Sequence, residues 1–536
     1  MRLPLILFLT VVLPAQASAQ VFDWANEAGG LGLDVGRAVC TDPDGNVIMV
    51  GSYSGIATFG DTVLVGLGGP DAFIGKYTAD GQQLWMQTVR GPAEDLARGV
   101  TTDHEGNIFV TGHFTHRAFF ILTDTDTLEL ISAGGKDVFI AKYSPDGELM
   151  WAERAGGPAD DTGTDIQWHR YANRLVISGG FQGRATFANV SMLSSGLTDA
   201  FLLAMDGNGT ALWVRNGGGP QHDVAASVAI DPYGQRIYIT GDYFGSALFS
   251  GTALNAAGSS DIFIACYDIH GALQWVKTFG GQNLDVATKV GCDLQGNVFV
   301  AGHYQMTTVF GPFSATSRGY NDVFLTKLNG ANGDVSWLRS LGGTDLETCQ
   351  GLAVDWDGTA YVTGMFDTRL ISAQDTLFGN GYDIFIACIE PSGHTRYLKG
   401  AGAGSADIPM GICLGTDQSL FVTGFYYFFA EFDGVTIGNA LNGDIFLARL
   451  TDIVGVEEAP MLPKLVCGQY DAHRQLVQLS CDLRGPWQVI DLLGRTLMQG
   501  RATQAEVSLS GLPSGFFLFT VTDGRQRAVV PLVVQP

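Results

Sequence analysis

Positive charge is scarce in this chain. Its 536 residues hold 30 Lys and Arg against 54 Asp and Glu, a formal net charge of −24. A surface of that sign repels phosphate backbones, which argues against nucleic acid as a partner. Cysteine is sparse too: there are 8, none in a C-x-x-C spacing, so no zinc-binding pattern is present. Cys40, Cys292 and Cys413 fall in runs that read as innermost strands, where a thiol serves as a small hydrophobe. Cys467 and Cys481 flank a short hairpin and are the candidate disulfide. Catalytic signatures are missing as well: no G-x-S-x-G, no H-E-x-x-H, no EF-hand loop and no Walker A. Gly69 to Lys76 has the look of a phosphate loop, but its spacing is wrong and Tyr77 stands where Ser or Thr is needed. The nine His do not cluster. His113 and His303 share one repeat position where other copies carry Ser52, Gly180, Asp242, Met365 and Phe425. No catalytic residue, metal or cofactor is therefore expected.

Long apolar runs are confined to the N-terminus. Arg2 precedes an apolar stretch from Leu3 to Leu13, and Ala17-Ser18-Ala19 is an A-x-A site. This reads as a signal peptide over residues 1–19, cut between Ala19 and Gln20. No Cys follows the cut, which argues against a lipid anchor. No later run reaches the ~18 apolar residues of a membrane helix. The expected product is exported and not membrane-spanning: secreted, extracellular or held on the outer cell surface.

What is present is a repeat. Asp-x-Phe recurs at Asp71, Asp137, Asp199, Asp261, Asp322, Asp383 and Asp444, spaced 61 to 66 residues apart. A Gly follows an apolar alternating run at Gly51, Gly112, Gly179, Gly241, Gly302, Gly364 and Gly424, with an aromatic two residues later each time. A bulky aromatic recurs at Trp24, Trp85, Trp151, Trp213, Trp275, Trp337 and Tyr397. Three independent landmarks give seven copies, and a fixed period of this length marks a repeat architecture.

One unit, Gly99 to Gly156, reads as four short strands, A to D, punctuated by His104-Glu-Gly-Asn107 and Ser144-Pro-Asp-Gly147. A four-stranded sheet cannot bury both faces alone, and seven stacked radially can. The expected fold is all-β: a seven-bladed β-propeller over residues 20–451, a linker over 452–464, and a small β-sandwich over 465–536. The mature chain opens with a D-type strand, Val21–Ala28, and the array ends on a C-type strand, so the N-terminal strand is expected to complete the last blade. The recurring aromatics are expected between blades rather than on an exposed rim.

Alternating strand directions put A–B and C–D turns on one face and D–A and B–C connections on the other. The B–C connections are expected to be longer and variable, with a five-residue insertion in the second blade near Thr123 to Thr127. Most hold a Phe six residues past the strand-B aromatic: Phe59, Phe120, Phe187, Phe249, Phe310 and Phe432, with Ser372 in the sixth blade. An acid stands five residues before the apolar residue of strand A in every blade: Asp34, Asp95, Asp161, Asp223, Asp285, Glu347 and Asp407. Two readings are open. The seven form a carboxylate ring at the channel mouth that attracts a cationic ligand, or each accepts backbone N–H bonds in its own loop.

The pattern Gly-Gly…Asp…Val-x-x-Asp-x-x-Gly-Asn-Val-x-Val-x-Gly, then Asp-x-Phe-x-x-Lys, then Gly…Trp resembles the SBBP family of bacterial β-propeller repeats, from about Gln20 to Leu450. The C-terminal stretch is similar to the type A sorting domain of type IX secretion substrates. The matching residues are Val489-Ile-Asp-Leu-Leu-Gly-Arg495, Leu512-Pro-Ser-Gly515 and Phe516-Phe-Leu-Phe519. That resemblance implies export across an outer membrane, with the secretion machinery as a partner of this domain, and its removal in processing. The functional expectation is a binding or adhesion scaffold for a glycan, peptide or protein. An extracellular polysaccharide-acting enzyme with its site at the channel mouth and a structural coat protein remain alternatives.

Overall fold

The computed structural model describes residues 19–123, 126–170, 172–373 and 375–453, and seven strands between Gly468 and Val534. Two compact units result, one of which is Gln20–Asp452. Cys467, Cys481 and residues 1–18 lie outside the described residues, and with them the candidate disulfide and the apolar leader.

Within Gln20–Asp452 the strands are all antiparallel and fall into seven blades. Blade 1 is typical: strand A is Val35–Thr41, B is Val47–Phe59, C is Thr62–Tyr77 and D is Gln83–Arg90. Strands A of the seven blades begin at Val35, Asp95, Thr162, Asp223, Asp285, Glu347 and Asp407. Each packs on the next, and the last packs back on the first, so the ring is closed. Blade 7 has strands Asp407–Leu414, Leu420–Phe432 and Val435–Ile453, and its fourth strand is the N-terminal Ala19–Gly30. The two ends of the propeller segment thus share one sheet, as the strand order implies. Phe22 is buried there against Phe432, and its N–H donates to Asp433 Oδ2 at 2.8 Å.

Strands B and C run longer than the sequence pattern suggests, and this corrects one expectation. The B–C connection is a β-hairpin that continues both strands: Ile56–Phe59 pairs with Thr62–Val65 across a two-residue turn. In blades 5 and 6 the tip breaks off as a separate hairpin, Thr307–Phe310 with Phe313–Thr316 and Arg369–Ile371 with Thr376–Phe378. The physical reason is that each tip has a partner. Strand D of the preceding blade bonds to it at every junction: Ala28 with Phe59, Val89 with Phe120, Gly156 with Thr186, Gly217 with Phe249, Gly280 with Val309, Gly342 with Ile371, and Gly402 N–H to Glu431 O. The recurring Phe of this segment is therefore interior, and it packs on the Phe of Asp-x-Phe in the same blade, as Phe59 does on Phe73.

Blade 6 departs in an instructive way. Where the others have Ala or Thr and then Phe two residues on, it has Leu370 and Ser372. Leu370 is fully buried, so apolar volume has moved one same-face position along the strand.

The strand-B Gly does not end its strand. Every strand A carries a bulge opposite it, for example between Gly36 and Ala38. The carbonyl before the bulge is pressed against the Gly: a Cβ on Gly51, Gly112 or Gly241 would collide with Val35 O, Leu96 O or Val224 O. The indole landmark is explained as well. The strand-D Trp donates from Nε1 to the C–D turn of the following blade, at 3.1–3.3 Å: Trp24 to Ala79 O, Trp85 to Pro145 O, Trp151 to Gly207 O, Trp213 to Ile269 O, Trp275 to Gly330 O and Trp337 to Pro391 O. Blade 7 has no C–D turn, since its strand D comes from the other end of the chain, and facing it the residue is Tyr397.

The C-terminal strands form two antiparallel sheets, one of three strands and one of four. The four-stranded sheet is ordered Thr496–Arg501, Pro486–Ile490, Gly515–Thr522, Arg527–Val534. Val489 is buried in it.

Candidate functional site

The seven acids at the starts of strands A are all 0 % exposed. Most accept N–H bonds from their own D–A loop. Asp34 takes Gly30 N at 2.7 Å and Ser54 N at 2.7 Å, Asp161 takes Gly157 N and Gln182 N, and Asp223 takes Gly219 N and Phe244 N. Asp285, Glu347 and Asp407 take Gly281, Gly343 and Ala403 N. Of the two readings, this geometry supports loop closure. All seven are buried, and six of them accept at least one backbone N–H.

Each also faces a second carboxyl, the Asp of Asp-x-Phe in the preceding blade. The pairs are Asp34 with Asp444, Asp95 with Asp71, Asp161 with Asp137, Asp223 with Asp199, Asp285 with Asp261, Glu347 with Asp322 and Asp407 with Asp383. Burial first, then the neighbouring charge, pushes the carboxyls up: Asp34 and Asp223 to about 6, Asp161, Asp285 and Asp407 to about 7, Glu347 to about 8 and Asp95 to about 9. Each pair leaves at least one buried oxygen without a hydrogen-bond partner, such as Asp199 Oδ1. A carboxyl that keeps its proton supplies the missing donor. The Gly-Gly of the repeat makes room for this. At Gly156 (φ 145°) a Cβ would strike Asp137 Oδ1, and at Gly157 it would strike Arg184 O of the next hairpin.

These positions are spent on holding blades together and are nearly the same in all seven. The asymmetry lies elsewhere. The bulged residue of strand A is Arg37, Arg98, Thr164, Ala226, Thr288, Gln350 and Met410 in turn, and each is half-buried on the innermost ring. Some are satisfied locally: Thr164 Oγ1 donates to Ala225 O of the next strand A at 2.6 Å, and Thr288 Oγ1 to Ala301 O.

Blades 1 and 2 differ. His113, fully buried, bonds Glu94 Oε1 through Nε2 at 2.8 Å, and Arg98 Nε donates to its Nδ1 at 3.4 Å. That assigns the ring proton to Nε2. Lys136 Nζ donates to the same Glu94 oxygen at 2.5 Å. His113 and Lys136 hold the Glu94 carboxyl down at about 2, while burial lowers His113 and keeps it neutral. Arg37 holds the same bulge position in strand A of blade 1, which packs on strand A of blade 2. Burial, then the nearby Arg98, pushes its guanidinium down to about 10, with Glu94 opposing. Arg37 has no hydrogen-bond or ion-pair partner among the described residues, and its Nε is buried. The sequence reading missed this group. Its signal was present: the third residue past each acid varies from blade to blade inside a constant frame.

A cavity of about 290 Å³ lies between the hairpin Phe313–Thr316 and strand D of blade 5, lined also by Arg318, Leu338 and Ser340. Among the described residues no three His, Cys, Asp or Glu side chains converge as a metal-binding set, and no helix is long and apolar enough to cross a membrane.

No family model matches the chain. An uncharacterized WD repeat-containing protein of Acanthamoeba polyphaga mimivirus is 23% identical over 450 residues, covering 66% of this chain and 31% of its own length. The regulatory protein FlaEY of Caulobacter vibrioides is 24% identical over 372 residues, covering 65% and 38%. The chain thus spans about a third of the length of the curated relatives it matches. Among solved structures, the β-propeller domain of Myceliophteria thermophila Cps50 (Swd1) is 8% identical, with a TM-score of 0.41, over 79% of this chain and 99% of that one. The Dos1 propeller is 7% identical, with a TM-score of 0.39, over 79% and 93%. At that level of likeness the assignment rests on the strand pairing itself, and by its seven blades packed in a closed ring the chain is a β-propeller repeat protein.

Proposed function

We propose that this protein is a secreted or cell-surface propeller scaffold of the SBBP kind. It binds a glycan, peptide or protein on the face formed by the D–A loops and B–C hairpins, and a type IX-like route exports it through its C-terminal domain. One observation carries the binding reading. The residues that repeat sevenfold, acids included, are consumed by blade-to-blade bonding, and the side chains that differ between blades gather on the inner ring at one mouth.

The test is a glycan and extracellular-matrix array probed with the full chain. Binding abolished by substitutions on the B–C hairpins, and kept after substitutions in the Asp-Gly turns of the opposite face, supports the reading. Turnover of a polysaccharide by the same preparation overturns it. Detection of the chain outside the cell, dependent on residues 465–536, tests the export route.

A further inference from the structure

The region where Arg37 and Arg98 meet carries an excess of positive charge in a chain of net charge −24. Lys136, Arg98 and Arg37 stand against Glu94 and against Asp160, whose Oδ1 accepts the Lys136 backbone N–H at 3.0 Å, so the cations of this group outnumber its carboxylates three to two. Glu94 is already engaged by His113 and Lys136. Arg98 spends one N–H on His113, and Arg37 spends none among the described residues. Two guanidinium groups at the same bulge position of adjacent A strands that pack on each other, both partly stripped of water, are costly unless an anion lies between them. The bulges hold them there: strand A departs from its ladder at Arg37 and again at Arg98, and a bulge re-aims the side chain it displaces.

We propose that Arg37 and Arg98 form an oxyanion-binding site at the inner mouth of the propeller, taking a carboxylate, sulfate or phosphate group of the ligand. This deepens the scaffold reading and rests on it for the ligand's origin. Guanidinium groups suit this chemistry because each offers a planar fork of donors that matches two oxygens of such a group. Lys136 and His113 act as positioning residues. By occupying Glu94 they keep its carboxylate from neutralising the arginines.

The experiment uses the full chain and three probes, sodium sulfate, sodium phosphate and sodium malonate, each against sodium chloride at equal ionic strength. Binding is read by titration calorimetry and by the rise in thermal midpoint. The wild type is expected to bind at least one probe in preference to chloride. Arg37→Gln and Arg98→Gln are each expected to weaken that binding about tenfold, as loss of charge-assisted bonds does. Arg37→Lys, which keeps the charge and loses the fork, is expected to fall between. The midpoint in chloride reports folding of each variant, and the Lys variant serves if a Gln variant is unfolded. Response to malonate alone identifies a carboxylate ligand, and response to sulfate or phosphate identifies those groups. No preference over chloride, or unchanged binding in both Gln variants, overturns the site. The same variants go onto the array. An array ligand retained by both Gln variants sinks the site and leaves the scaffold reading standing, whereas oxyanion binding without any array ligand does the reverse.

Discussion

Replacing Asp199 by Asn should stabilise this protein at pH 8 and leave it nearly unchanged at pH 4. Asp199 and Asp223 are both fully buried at the junction of blades 3 and 4. Asp223 has both oxygens filled by backbone N–H groups, Gly219 at 2.6 Å and Phe244 at 3.1 Å. Asp199 Oδ2 accepts Ser195 N at 3.1 Å, and its Oδ1 has no partner. Burial, with the Asp199 charge as a lesser cause, raises Asp223 from 3.8 to about 6, and burial raises Asp199 also. An acid whose folded pKa lies above its unfolded value binds more protons when folded. Its stabilising contribution is complete below about pH 4 and is lost as the pH climbs through about 6. For Asp223, the rise from 3.8 to about 6 corresponds to about 3 kcal/mol.

Asn at 199 keeps one acceptor for Ser195, places an N–H donor where the orphan oxygen was, and removes one buried charge. The expected gain is about 1–3 kcal/mol at pH 8. At pH 4, where the pair is already protonated, it is within about 0.5 kcal/mol of zero. Urea midpoints of the full chain, followed by Trp fluorescence at both pH values, measure it. A loss at pH 8, or an equal shift at both, would refute the shared-proton account of the inter-blade pairs.

The other predictions concern how the ring is held. Trp337→Phe removes the N–H donated to Pro391 O at 3.1 Å and should cost about 1–2 kcal/mol in the same urea assay. Leu370→Ala should cost about 2–4 kcal/mol by opening a cavity. Adding Ser372→Phe should recover part of that loss by restoring the arrangement of the other blades, and a double variant no better than the single would contradict the volume-exchange account. Phe22→Ala, at the seam between the two ends of the propeller segment, should cost about 3–4 kcal/mol and make residues 19–30 the first to be cut in limited proteolysis.

The repeat count, the propeller and the closure of the last blade by the N-terminal strand were legible in the amino-acid sequence. Each landmark answers a local demand that recurs in every blade. A Gly is needed wherever a bulge carbonyl presses on strand B, as at Gly51, and a Trp wherever a C–D turn of the next blade offers a carbonyl, as at Pro391. Even the exception is lawful, since Tyr397 faces the one blade with no such turn. The fate of the acids was not legible. Asp199 and Asp223 belong to different blades, and only the packing of two sheets face to face removes the water that would keep both ionised. The reach of the B–C hairpins was hidden for the same reason, because the strand that pairs with each tip comes from a neighbour. Arg37 and Arg98 lie 61 residues apart in the chain. Packing blade 2 on blade 1 sets their A strands side by side, and the chemistry of that mouth exists only there.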